Sequence, residues 1–372
     1  MSMGDFLKAL EAGLAGSADK EAILEYYREM IEDRVEDGMD EADAVAQLGS
    51  VEEILSRCVQ GLTVTKPVPP TGISRVEIRE KEFDVTIVPT SEQTYRVEAT
   101  PEGFHDCTLE NGVLRILRNK LTEKRSWFFA PDEKLTLYLP EGVYEGLDVT
   151  TASGNIAIRQ SFGTVHVTGA SSDVTVEGSF PGKVAVQTAS GNVSLQGTFE
   201  DTAEVQTSSG DQAFRGKFRS GRLKSVSGDL ELSRASFEEK LEIETVSGDG
   251  ELTDVLTGSL RVRAVSGDMR MERVCVEALV LETKSGDLEL EQTLSKGDFR
   301  CRTVSGDVRL EACDGLRMTL TTVSGDISGN VRSPKHFTGH TVCGDMDLPD
   351  TTGEGTCDIS TVSGSAELEV QA

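Results

Sequence analysis

Aromatic residues are scarce in this chain of 372 residues, at 5%, and tryptophan occurs once. So few large rings cannot fill a wide globular core, whereas a narrow core of Val, Leu, Ile and Thr needs none. Proline is also sparse, at 10 residues beside 37 glycines, yet 37% hydrophobic residues set the chain apart from disordered sequences. No run approaches the roughly 18 apolar residues that span a bilayer. The start, MSMGDFLKALEAGLAG, carries Asp5 and Glu11 and lacks the basic head and apolar stretch of a signal peptide. Basic charge is in deficit: 37 Lys plus Arg against 64 Asp plus Glu leave a net −27. Such a field repels phosphate backbones and anionic lipid, so no nucleic-acid partner is expected. The seven cysteines (Cys58, Cys107, Cys275, Cys301, Cys313, Cys343, Cys357) lack C-x-x-C spacing and a neighbouring histidine cluster. An odd number at scattered phases points to reduced thiols and a cytoplasmic setting.

What is present falls into two patterns. Residues 1–58 have helical periodicity: Phe6, Leu7, Leu10 and Leu14, then Ile23, Leu24, Tyr27, Met30, Ile31 and Val35 after a break at Gly16 and Ser17. Gly38 and Gly49 end helices, and Ser50-Val-Glu-Glu53 reads as a capping box. The expectation is a small helical bundle, with 15 acidic against 5 basic residues in the first 60. Residues 59–72 are a linker in which Pro67, Pro69 and Pro70 forbid helix.

Strand-like runs follow. Those in 73–146 are irregular and read as the first coils and cap of a solenoid. From 147 to 372 a Ser-Gly-Asp turn recurs at Gly154, Ser172, Gly191, Gly210, Gly228, Gly248, Gly267, Gly286, Gly306, Gly325, Gly344 and Gly364, with gaps of 18 to 20 residues. A near-constant period of this kind is the signature of stacked repeats. Five residues before the glycine stand Val186, Val205, Leu223 and Ile243, and two and four after it stand pairs such as Leu230 with Leu232. That alternation describes short strands with every second side chain inward. The fold class expected is mainly β: a parallel β-solenoid of coils of about 19 residues, preceded by the helical bundle.

Each residue of the turn has a reason. Glycine suits a corner with positive φ, and Ser and Asp can hydrogen-bond the turn backbone with the Asp outward. Thr three before the glycine (Thr188, Thr207, Thr245 and others) fits a stacked β-branched ladder whose hydroxyls bond the next coil. One Asp per coil supplies too few oxygens for calcium, so no metal and no cofactor is expected.

The segments FLKALEAGL and EAILEYYREMIEDRVEDGMDEADAVAQLGSVEEIL resemble the HAAS-type helical domain of bacterial membrane-associated regulators. The segment LYLPEGVYEGLDVTTASGNIAI and the serial TVSGD copies resemble the bacterial adhesin-like β-strand-repeat family of unknown function called toastrack, over about 71–372. These resemblances imply the solenoid architecture and a setting in cell-envelope stress response or at the cell surface.

Catalysis is not expected, because the repeated Ser and Asp lie one per coil along a ridge and the four histidines (His105, His166, His336, His340) form no triad-like set. The remaining reading is an interaction or scaffold module with a protein partner or membrane-associated regulator, cytoplasmic and in peripheral contact with a membrane. Its alternative is an adhesin-like binding protein reaching the surface without a signal peptide. One stretch concentrates positive charge beside aromatics: Arg118, Lys120, Lys124 and Arg125 against Glu123, followed by Trp127, Phe128 and Phe129. Two roles fit it, a cover over the first coils or a dock for an anionic membrane or acidic partner.

Overall fold

The period of the sequence becomes a period of hydrogen bonding. The computed structural model describes residues 3, 6–9, 28, 31, 72–100, 104–119 and 133–371. The chain divides into two compact units, Met1–Pro67 and Val68–Ala372. In the first, Met3, Phe6, Leu7, Lys8, Ala9, Arg28 and Ile31 are helical. The rest of the expected bundle, and the linker up to Thr71, lie outside the described residues.

The second unit is the expected parallel β-solenoid. Equivalent residues of successive coils pair in register, so the inward position five before each turn makes one column: Val186, Val205, Leu223, Ile243, Val262, Leu281, Cys301, Leu320 and Ile359. All of these are buried, and rungs at about 4.8 Å give each coil a full ladder on both sides. On the side away from the Ser-Gly-Asp turn the chain passes from face to face without breaking, as in Val193–Ser209 and Leu230–Ser247. Inside that corner Phe180, Phe199, Phe218 and Phe237 stack with ring centroids 5.3, 4.8 and 4.8 Å apart. This use of phenylalanine every 19 residues went unread in the sequence, though its spacing was visible there.

The turn glycines are required chiefly by closeness. At Gly267, φ is 122° and an added Cβ would lie 2.2 Å from the carbonyl oxygen of Gly248, so no side chain fits whatever the φ.

Stacking order departs from chain order at both ends. The first coil, with strands Arg75–Arg79 and Asp84–Thr90, lies between the Gly154 coil and the later coil formed by Val113–Arg118 and Lys134–Pro140. Strands Arg96–Thr100 and His105–Glu110 then pair antiparallel onto the outer edge of that outermost coil. At the other end the last coil, Thr356–Ser360 with Ala366–Val370, is inserted between the Gly325 coil and strands His336–His340 and Met346–Asp347. The even spacing of the sequence implies simple succession, and constant coil length carries no information about which neighbour a coil takes.

Candidate functional site

In the run Thr-Val-Ser-Gly-Asp, alternation sends neighbouring side chains to opposite sides of the strand. The threonines go in: Thr207, Thr283, Thr303 and Thr322 are buried. Their hydroxyls mostly cap their own turn, as Thr188 and Thr283 do by donating to the carbonyls of Ser190 and Ser285. Thr207, which reaches Ser225 Oγ of the next coil at 3.3 Å, follows the expected inter-coil pattern.

The valines therefore go out. Val226, Val246, Val265, Val304, Val323, Val342 and Val362 are 39–67% exposed, and Lys284 stands in the same column. Backbone bonds from Ser285, Ser324, Ser363 and Cys343 to the carbonyls of Val265, Val304, Val323 and Val362 hold the column in register. Seven spacings of about 4.8 Å make a stripe roughly 34 Å long. Apolar surface repeated rung upon rung, broken once at Lys284, marks an interaction site, whereas scattered exposed valines would not. The sequence signal was the recurrence of Val at this position in seven of the twelve turns, which reads as core until the buried Thr beside it fixes the phase.

One flank of the stripe is an acidic ladder with a specific bond pattern. Oδ1 of each Asp accepts the backbone N–H of its counterpart in the next coil: Asp229 to Asp211, Asp249 to Asp229, Asp268 to Asp249, Asp287 to Asp268, Asp307 to Asp287 and Asp326 to Asp307, at 2.8–2.9 Å. Asn192 serves equally, accepting from Asp211 at 2.8 Å. The Asp side chains thus staple one coil to the next, where the sequence suggested that they cap their own turns. Among the described residues Asp307 is the one ladder carboxylate in these bonds with a cation within 4.0 Å, Arg309 at 3.8 Å. The other flank is self-neutralised, with Lys224 on Glu244 at 2.8 Å and Arg263 on Glu282 at 3.2 Å. The stripe therefore has one uncompensated anionic border.

A second polar cluster lies where the antiparallel strands meet the first coil. Glu80, whose side chain is fully buried, meets His105 Nε2 through Oε2, accepts the Lys81 amide at 2.8 Å, and faces Arg118 at 3.5 Å. Phe83 stands edge-on to the His105 ring with centroids 4.6 Å apart. Burial alone would raise the Glu80 pKa. The hydrogen bonds from His105 and Lys81 and the charges of His105 and Arg118 outweigh it, and the carboxyl is held below its usual range. Burial pushes Glu133, close by, the other way.

Of the charged and aromatic stretch 118–129, Arg118 is thus turned inward, also reaching Glu82 at 3.5 Å. Lys120, Lys124, Arg125, Trp127, Phe128 and Phe129 lie outside the described residues. His166 is exposed beside Thr168, 3.4 Å away. His336 and His340 lie on the outermost strand of the opposite end. The thiols of Cys313 and Cys357 are pushed by burial to about 11 and about 12, which leaves them protonated and inert at neutral pH.

Two family profiles match the chain. The Toastrack DUF4097 family profile matches residues 73–256 and 251–372, and the HAAS profile matches 5–56. No curated protein sequence matches the chain. Among solved structures, a candidate adhesin from Bacteroides fragilis NCTC 9343 is 10% identical over 80% of this chain and 92% of its own, with a TM-score of 0.28. A candidate cell adhesion protein from Clostridium sporogenes ATCC 15579 is 7% identical over 83% and 97%, with a TM-score of 0.19.

Proposed function

The chain belongs to the Toastrack DUF4097 family, and on that premise we propose that it is a non-catalytic scaffold that holds a protein partner along the valine stripe. The observation that carries this reading is the column Val226 to Val342, exposed over eight stacked coils beside an acidic ladder that the chain leaves largely unpaired. A rigid ladder of similar rungs is a binding surface whose affinity grows with each rung engaged. Polar residues are plentiful along it but do not converge on a cleft, and catalysis requires convergence.

The match of residues 5–56 to the HAAS family supports a finer assignment. The helical unit engages a membrane-associated regulator, the solenoid presents the stripe to a second protein, and the pair acts in the response to cell-envelope stress from the cytoplasmic side. A photo-crosslinking residue at Val265 or Val304, expressed in the native host, tests this directly. Adducts of one discrete mass with a second protein are expected from those positions and not from Thr198 or Lys217 on the far corner. Equal adducts from both faces, or none from the stripe, would overturn it.

A further inference from the structure

We propose that the protein forms a closed dimer through the open C-terminal end of its solenoid, by antiparallel pairing of strand His336–His340 with the same strand of a second copy. This goes beyond the valine stripe and rests on other residues. Strand His336–His340 pairs with Thr356–Ser360 on its inner edge, and among the described residues it has no neighbour on its outer edge. The His336 amide donates to Gly355 and the His340 carbonyl accepts from Thr361, both toward the inner coil. Strand geometry then turns the amides and carbonyls of Phe337 and Gly339 outward. Behind them the end of the core is half covered, with Phe337, Met346 and Leu348 only partly buried.

The occupant follows from the order of residues. His-Phe-Thr-Gly-His is nearly palindromic about Thr338, so a two-fold axis through Thr338 puts every residue opposite a suitable mate. Phe337 and Gly339 of opposite copies exchange both backbone bonds, while Leu348 of the same chain fills the space over Gly339. Thr338 faces Thr338, a favourable cross-strand pair. No carboxylate lies within the strand, although the whole chain carries −27, and Asp358 on the adjacent strand accepts the Thr338 hydroxyl. The opposite end of the solenoid is already covered by the chain's own antiparallel strands. A two-fold contact uses the same edge in both copies, so it closes at two.

The experiment uses the full chain. Sedimentation equilibrium should show a monomer–dimer equilibrium at concentrations up to about 1 mM, the weak range expected of a contact two short strands wide. Thr338→Lys sets two cations face to face and should give a monomer at all concentrations with an unchanged melting curve. Thr338→Cys should form a disulfide-linked dimer under mild oxidation, since residues on the axis lie about 4.5–5.5 Å apart at Cβ. The native protein, with its exposed Cys107 and Cys343, is the control for that crosslink. A native protein that stays monomeric, or a dimer that survives Thr338→Lys while Thr338→Cys fails to crosslink, overturns the proposal.

Discussion

At the N-terminal end of the solenoid the outermost coil, 113–140, carries antiparallel strands on its outer edge, locked by Glu80 and His105. At the C-terminal end coil 336–347 carries none among the described residues. Both ends use the same manoeuvre, in which the coil nearest the terminus is tucked one layer in. The difference lies in what the chain does between the exchanged coils. Residues 91–112 return as two strands that cover the edge, whereas residues 348–355 lead back with no strand of their own. Closing an end therefore depends on the length and pairing of the connector. Stacking in the body of the solenoid is indifferent to it.

The largest test of this comparison is truncation. Ending the chain after residue 347 removes the inserted coil 356–370, strands coil 336–347 without the coil it pairs with, and uncovers the Gly325 coil. Ending it after Val331 leaves a clean edge. Both fragments lose the interface of the inserted coil and should fall below the intact chain by a similar amount, several kcal/mol, read in the urea midpoint, while residues 332–347 of the longer one are cleaved first by protease. A tail that resists protease would show that the outer coil does not depend on the inserted one.

Next, Gly267→Val in the body should cost about 4 kcal/mol, because its Cβ would lie 2.2 Å from a backbone oxygen held on both sides. Gly344→Val meets the Gly364 carbonyl equally closely, but the outer coil can fray, so hydrogen exchange should rise there with a smaller drop in global stability. At the opposite end Glu80→Ala should cost about 3 kcal/mol by leaving His105 and Arg118 facing an emptied buried site. The Glu80 carboxyl is depressed in the fold. Its contribution is therefore complete above the unfolded carboxylate pKa and is lost as pH falls through the lower folded value. Hydrogen exchange of His105–Glu110 should accelerate in strong acid in the native protein and lose that step in Glu80→Gln.

The smallest effect concerns the ladder. Asp268→Asn should be nearly neutral, as Asn192 already fills the same role, whereas Asp268→Ala should cost about 1 kcal/mol by orphaning the Asp287 amide. Chemical melts of the two variants separate stapling from charge.

Much of this was legible beforehand, and the limits have physical causes. Leu230 and Leu232 announced an inward face because their alternation recurs in most coils, and the glycines announced a tight corner. Val265 was not assigned a side, since an apolar residue beside a turn fits core or surface until the neighbouring Thr is placed. Asp268 was read as capping its own turn because its true acceptor role is to an amide 19 residues away. His105 and Glu80 meet across 25 residues of irregular chain, where no repeat offers a phase. The exchange of terminal coils was invisible because coils of equal length and pattern are interchangeable in a one-dimensional reading.

That exchange also sets a timetable for synthesis. The coil 75–90 is made first and later acquires a neighbour on each face, so growth from it runs in both directions. At the other terminus coil 336–347 leaves the ribosome before the one coil it can rest on has been translated. It must wait for residues up to 370, about 1–5 s at ~5–20 residues per second. The final two coils then dock together as a pair, and for that interval the Gly325 coil stands as a bare edge that only its own chain's tail is meant to fill.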